Sequence, residues 1–335
     1  MEPRRLDAPP VKVIARTVAL RLTAAVPLLL LVSLALFLIG KASPFDPVLQ
    51  YVGGADAAHL SNADLERLRA NWGLDRPVLA QYGEWLAHLV SGDLGHARSL
   101  GGQPVAEVIG ERLKWTVLLS AAGLAGALLL AVPLGTLAAR RPGGLVDRAV
   151  TWVGYTLEAI PTFWLALAVI AVFALTLRLL PSGGLTDVSA TTVTATGLAT
   201  HLVLPASVLA VSQSPWFILY VREAVAHALA EDFVTGARAR GLSEWRVLTG
   251  HALRTGLLPL ITLAGARIPE LITGVTLVEA VFSWPGVAGA TVTAALAVDF
   301  PLLAALTLLA TVTVLAGNLT ADIGYTLADP RVRLR

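Results

Sequence analysis

The chain has 335 residues, of which 56% are hydrophobic and 14% charged, whereas soluble domains carry roughly 25% charged residues. That balance excludes an ordinary soluble enzyme or binding module and marks an integral membrane protein. A formal net charge of +2 gives no argument for a nucleic-acid partner, and the absence of cysteine excludes disulfides, thiolate metal sites and cysteine nucleophiles.

A spanning helix needs roughly 20 apolar residues to cross about 30 Å of hydrocarbon. The basic N-terminal stretch leads into an apolar run too long for the core of a signal peptide, so residues 18–40 read as a retained first span. Further spans are predicted at 115–139, 151–180, 198–220, 257–282 and 301–319. Glu158 and Pro161 imply a kinked or partly embedded start to the third. Six spans put both termini on one side. Arg4, Arg5, Lys12, Arg16 and Arg21, then Arg140, Arg141 and Arg148, then a charged island after the fourth span, then Arg331, Arg333 and Arg335 all share that face. The positive-inside rule makes it cytoplasmic.

The opposite face carries residues 41–114, in which basic and acidic residues are interleaved. Residues 63–72 and 78–90 are predicted as helices with apolar faces, the second opened by Pro77. Gly92, Gly95, Gly101 and Gly102 then supply turns, and a short helix is expected at 288–298 before the last span.

No catalytic constellation stands out. A phosphate loop requires a glycine-rich turn ending in Gly-Lys-Ser/Thr, but Gly40-Lys41 is followed by Ala42, so ATP hydrolysis by that route is closed. The six histidines are scattered without metal-ligand spacing. Ionisable groups at membrane depth are costly and therefore functional candidates. Arg267 and Glu270 lie three apart on the fifth predicted span and can share a face; they either neutralise each other or line a polar pathway. Glu279 and Asp299 fall near the outer ends of the fifth and sixth spans, where capping, loop anchoring and ligand contact are all open. Glu158 either faces a cavity or snorkels. Glu158, Arg267, Glu270 and Glu279 form the candidate pathway set.

The island, residues 222–259, holds Arg222, Arg238, Arg240, Arg246 and Arg254 and reads as two short helices broken at Gly241. Its arginines obey the positive-inside rule.

A series of motifs then occurs in order: GLDRPVLAQYGEWL at 73–86, SGDLG at 91–95, PVAEVIGERL at 104–113, VEAVFSWPGVAG at 278–289, DFP at 299–301, NLTADIGY at 318–325 and DPRVR at 329–333. Nearly end to end, the chain resembles the inner-membrane permease subunits of bacterial ATP-binding-cassette importers of the dipeptide and oligopeptide group, which also includes nickel and glutathione permeases. The resemblance implies an all-α, six-span permease of the type I, MetI-like fold with an extracytoplasmic helical insertion between spans one and two. It divides the chain into 1–40, 41–113, a core at 114–325 containing a cytoplasmic coupling loop at 221–256, and a cytoplasmic tail at 326–335.

In that family the cytoplasmic loop before the fifth span carries the EAA motif, a helix that docks in a groove of the ATPase. The matching positions are 233–241, followed by 251–254, with Thr235 at the motif's Glu position, Gly236 at its first Ala and Asp232 an acid nearby. The implied coupling residues are Asp232, Thr235, Gly236, Ala237, Arg238, Arg240, Gly241 and Arg246; in that reading small Ala237 and Ala239 allow close approach and Arg238, Arg240 and Arg246 offer docking charges, the alternative being that the arginines only obey the positive-inside rule. Phe45 stands where the group commonly has glycine, Lys114 where proline is common, and Arg267-Ile268-Pro269-Glu270 is unusually polar and bent.

The resemblance further implies a non-catalytic subunit of a bacterial inner (plasma) membrane, with both termini cytoplasmic. Its partners would be a second, homologous permease, two cytoplasmic ATP-binding subunits or one fused ATPase, an extracytoplasmic substrate-binding protein and the lipid bilayer, but no nucleic acid. No cofactor or metal is expected on this chain, since ATP and Mg belong to the ATPase. Peptides are the expected cargo, with nickel chelates or glutathione as alternatives. The rival from another class is a self-sufficient, ion-coupled secondary transporter working through Glu158, Glu270 and Glu279. It gives no reason for the island.

Overall fold

The computed structural model describes residues 10–43, 61–71, 73–187, 192–257, 260, 264 and 267–328. The helices run in the order α1 (Pro10–Ala42), α2 (Asn62–Asn71), α3 (Val78–Ser91), α4 (Val105–Ala139), α5 (Leu145–Ala159), α6 (Thr162–Val169), α7 (Ala195–Ala230) and α8 (Asp232–Ala239). A continuous helical segment, α9, joins Glu244–Arg246, Val247–Ala252 and Leu253–Gly256, and α10 (Ile268–Val281), α11 (Val287–Leu296) and α12 (Phe300–Ala328) follow. The described strands are β1 (His96–Ala97) and β2 (Gln103–Pro104), an antiparallel pair.

Among the described residues four helices are long and apolar enough to cross a membrane: Ile14–Ala42, Val105–Ala139, Ala195–Ala230 and Phe300–Gly324. A fifth crossing is available if Leu145–Ala159 and Thr162–Thr176, bent by 98°, count as one. The bend sits at Ile160, which is extended (φ −83°, ψ 122°) because the residue before Pro161 is driven out of the helical region. The kink expected near the start of the third span is present as this sharp turn. Of the expected fifth span, residues 258, 259, 261–263, 265 and 266 lie outside the described residues, and its later part is α10.

The fourth predicted span stops at 220, yet α7 continues to Ala230. Nothing between 221 and 230 breaks a helix, so Arg222 and Glu223 ride on its last turns; the break comes at Glu231, where ψ is 153°. Pro215 inside α7 removes the amide that would bond the Val211 carbonyl, and the Ser214 hydroxyl donates to that carbonyl instead, at 3.1 Å.

The described chain falls into two units. The larger comprises Met1–Leu22, Lys114–Gly289 and Thr313–Arg335. One of its cores sets the small residues Ala127, Ala131 and Ala139 of α4 against Phe217, Ile218, Val221 and Val225 of α7, joined by Leu248 and Ala252 of α9. Small residues let the backbones approach, and at Gly135 an added Cβ would lie 2.7 Å from the Ile218 carbonyl oxygen. A second core gathers Leu119, Ala166, Leu204, Val208, Val275, Phe282 and Trp284.

The other unit comprises Thr23–Leu113 and Ala290–Val312. Ser61 and Asp64 cap α2 reciprocally: the Asp64 amide donates to the Ser61 hydroxyl and the Ser61 amide to the Asp64 carboxylate. The second helix starts directly after Pro77 and ends at Gly92 in the left-handed region (φ 88°). Tyr82 and Trp85 of α3 set their rings against Phe37, and Trp85 also meets Phe300. Strands of two residues are too short to leave an alternating pattern in the sequence. Between them, Ser99 donates through its amide and its hydroxyl to Asp299, both at 2.8 Å. Asp299, at the start of α12, is a loop anchor.

Candidate functional site

The island folds into an elbow. After the break at Glu231, α8 runs to Ala239, Gly241 turns the chain at φ 80°, and Ser243 leads into α9. An L-residue at φ 80° is strained, and an added Cβ at Gly241 would meet nothing within 4 Å, so glycine is required there by backbone conformation and not by space. Val234, Ala237 and Val247 are fully buried together, with Leu229 and Leu242 packed against them. These five residues give the elbow a small core of its own.

Everything else between 231 and 246 points outward. Asp232, Thr235, Gly236, Arg238, Arg240, Gly241 and Arg246 are all exposed. Gly236 has open space where a side chain would be, leaving a flat spot on α8. Ala237, in contrast, faces the elbow's interior, so its small size serves internal packing and not the close approach of a partner. Arg238 grips Glu244 across the turn, with Nε donating at 2.9 Å and Nη2 at 3.1 Å. Each raises the other's preference for charge: the guanidinium pKa goes up and the Glu244 carboxyl goes down, first through the hydrogen bond. Arg238 is thereby engaged within the loop, while Arg240 and Arg246 remain on its surface.

Two exposed aromatics join this surface that sequence reasoning did not single out. Phe233 is 40% exposed on α8 and Trp245 is 58% exposed on α9. Arg140, from the turn after α4, lies 6.0 Å from the Trp245 ring. A large apolar side chain at the polar end of a membrane protein is the available signal, and the charge pattern of the island hid it.

Of the four candidate pathway residues, Glu158, Arg267 and Glu279 are described, each in different surroundings. Glu158 is exposed, two residues before the bend. Arg267 sits with its guanidinium 4.3 Å from the Trp216 ring, which in turn stacks on Tyr220. The side chain of Glu270 lies outside the described residues, and with it the expected Arg267 to Glu270 pair. Glu279 is 1% exposed. Its carboxylate accepts from the Thr116 hydroxyl and from the Ala288 amide, and the same Thr116 oxygen accepts from the Val287 amide at 2.9 Å. Trp284, inside the turn so held, donates from Nε1 to the Trp115 carbonyl at 3.0 Å. Of the openings left for Glu279, loop anchoring is what this geometry provides.

Comparison with known proteins bears on both halves of the chain. A family model described as the inner membrane component of binding-protein-dependent transport systems matches residues 131–334, and one for the N-terminal part of such membrane components matches residues 14–117. An oligopeptide transport system permease protein of Bacillus subtilis is 37% identical over 308 residues, covering 92% of this chain and 96% of the relative. A protein of Brucella suis named as a peptide permease is 33% identical over 314 residues, covering 94% and 98%. A Sinorhizobium fredii protein named as a peptide permease of an ATP-binding-cassette transporter is 30% identical over 316 residues, covering 93% and 97%.

Proposed function

Because the chain belongs to the family of inner membrane components of binding-protein-dependent transport systems, we propose that it is a permease subunit of an ATP-driven peptide importer. The relatives named for peptide and oligopeptide transport support the cargo. The observation that carries the reading is the elbow: a loop with its own buried core that presents Phe233, Gly236, Arg240 and Trp245 outward. Such a surface suits docking of a cytoplasmic ATPase, and it has no task in a self-sufficient ion-coupled transporter.

In this reading the chain pairs with a second, similar permease, and two ATP-binding subunits or one fused ATPase engage the cytoplasmic elbows. Both termini are cytoplasmic, and ATP and Mg are held by the partners. ATP-driven closure displaces the elbow, and the helices behind it exchange between outward-open and inward-open arrangements. A soluble binding protein delivers the peptide at the opposite face, where residues 73–113 and 283–300 are the contacts proposed. Selectivity resides mainly in that protein.

The test is uptake of a labelled peptide into proteoliposomes that contain the permease pair, the ATPase and the binding protein. Uptake is expected only with ATP on the ATPase side and with the binding protein outside. Peptide uptake by this chain alone, driven by an ion gradient, would overturn the proposal.

A further inference from the structure

The turn after α4 and the cytoplasmic end of α7 are joined by an ion pair to which neither the cargo nor the docking surface assigns a task. Asp147, in the first turn of α5, is buried. Arg222 meets it with two prongs, Nε donating to Oδ1 and Nη2 to Oδ2, each at 2.8 Å. The Gly143 amide donates to Oδ2 at 2.7 Å, so the carboxylate also holds the glycine turn that precedes α5. The third guanidinium nitrogen donates to Glu223 at 2.7 Å, and Glu223 in turn lies 3.0 Å from His227 Nε2.

A two-pronged guanidinium to carboxylate contact fixes orientation as well as distance, which a lysine cannot do. Buried pairs of this kind add little net stability over well-packed apolar residues, so their retention is better explained by what they align. The alignment here is specific. Two residues beyond Arg222, Gly256 presses on the α7 backbone so closely that an added Cβ would lie 3.2 Å from the Ala224 carbonyl. Gly256 ends α9, the chain returning from the elbow. The end of α7 therefore carries the elbow's return limb and, through Arg222, the start of α5. At its far end α5 meets the 98° bend into the apolar helix 162–176.

We propose that Asp147 and Arg222 are positioning residues that make α5 and the cytoplasmic end of α7 move as one body, passing displacement of the elbow to the bent helix pair. The proposal rests on the docking role of the elbow. Its signature is loss of coupling in a complex that still assembles and still hydrolyses ATP.

The experiment uses the reconstituted complex and reads peptide transported per ATP hydrolysed. Asp147→Asn and Arg222→Lys are each expected to lower that ratio about tenfold, within the usual span of coupling energies, while recovery of the complex and basal hydrolysis stay within about twofold of the unsubstituted level. Because this chain has no cysteine, Asp147→Cys with Arg222→Cys can be bridged by a short bifunctional thiol reagent, the unsubstituted complex treated in parallel serving as the control. Bridging is expected to restore the ratio lost in the unbridged pair. An unchanged ratio in Asp147→Asn, or no recovery on bridging, overturns the clamp. An unsubstituted chain that fails to retain the ATPase overturns the docking reading instead, so the two failures are distinguishable.

Discussion

The elbow at 231–246 and the turn at 279–288 are assembled from similar parts, a break between two helices furnished with a glutamate, a tryptophan and glycine, and they use them in opposite ways. In the turn, Glu279 is 1% and Trp284 2% exposed, and each has its polar atoms matched by a neighbour's backbone or hydroxyl. In the elbow, Glu244 is exposed and Trp245 is 58% exposed, and within 231–246 only Val234 and Ala237 are buried, packed against Val247 of α9. Side chains that satisfy one another fasten a loop in place. A loop shaped by three buried residues and one left-handed glycine keeps its remaining faces available.

The sharpest way to break this contrast is at Glu279. Glu279→Ala would strip the acceptor from the Thr116 hydroxyl and the Ala288 amide inside a buried turn. Leaving such groups unpaired costs about 1–3 kcal/mol each, so a loss of about 3 kcal/mol or more is expected in unfolding of the detergent-solubilised protein. Glu279→Gln should lose less, since an amide oxygen still accepts. A loss below about 1 kcal/mol for the alanine variant would mean that the turn is not fastened by this side chain.

At the elbow the expectation reverses. Phe233→Ala combined with Trp245→Ala should leave unfolding within about 0.5 kcal/mol of the parent, as exposed substitutions do. Binding of the ATPase should weaken by about 2 kcal/mol or more, roughly thirtyfold, because large aromatics dominate interface energies. Titration of the ATPase against the detergent-solubilised permease pair checks this. Unchanged affinity with both aromatics removed would detach them from docking.

Much of this contrast was legible in the sequence, and the part that was not has a physical cause. Apolar runs of spanning length betray helices such as α4 and α12, and Pro77, Gly92 and Gly241 mark breaks because their backbone preferences are local. The elbow proposed for docking could be placed by its charge and by its resemblance to a known motif. Which side chains face inward could not: Ala237 reads as a small surface residue until Val234 and Val247 are seen around it. The Asp147 to Arg222 contact joins positions 75 apart, and a charged pair at that separation leaves no periodic trace. The continuation of α7 through Arg222 was missed because hydropathy registers the end of the apolar run, whereas the helix ends only where the backbone turns at Glu231.

Gly241 gives a smaller effect of a different kind. Since no atom lies within 4 Å of an added Cβ, Gly241→Ala should cost only the left-handed backbone strain, about 1–2 kcal/mol, with no steric component. Gly241→Asn should be milder than Gly241→Val, because asparagine tolerates positive φ and a β-branched residue does not. The ATPase-stimulated fraction of the complex, measured for all three, is expected to follow that order. Equal behaviour of asparagine and valine would remove backbone conformation as the reason for the glycine.

The smallest expected effect is the pair that closes the elbow. Arg238 holds the Glu244 carboxyl below its ordinary value of 4.5, chiefly by the hydrogen bond between them. A depressed acid contributes fully above its unfolded value and loses that contribution as pH falls through the folded one. The pair is therefore intact at neutral pH and opens only in the acid range, below about pH 4.5. Both partners are solvent-exposed, so the contribution is weak and further reduced by salt. Trp245 lies next to Glu244 and reports on it: the emission difference between the parent and Trp245→Phe should hold constant from pH 7 down to the ordinary glutamate range and change below it. Glu244→Gln should abolish that acid step without altering the neutral-pH signal. A step near neutral pH, or one that survives Glu244→Gln, would mean that the elbow is closed by something other than this pair, and would return Arg238 to the set of charges available for docking.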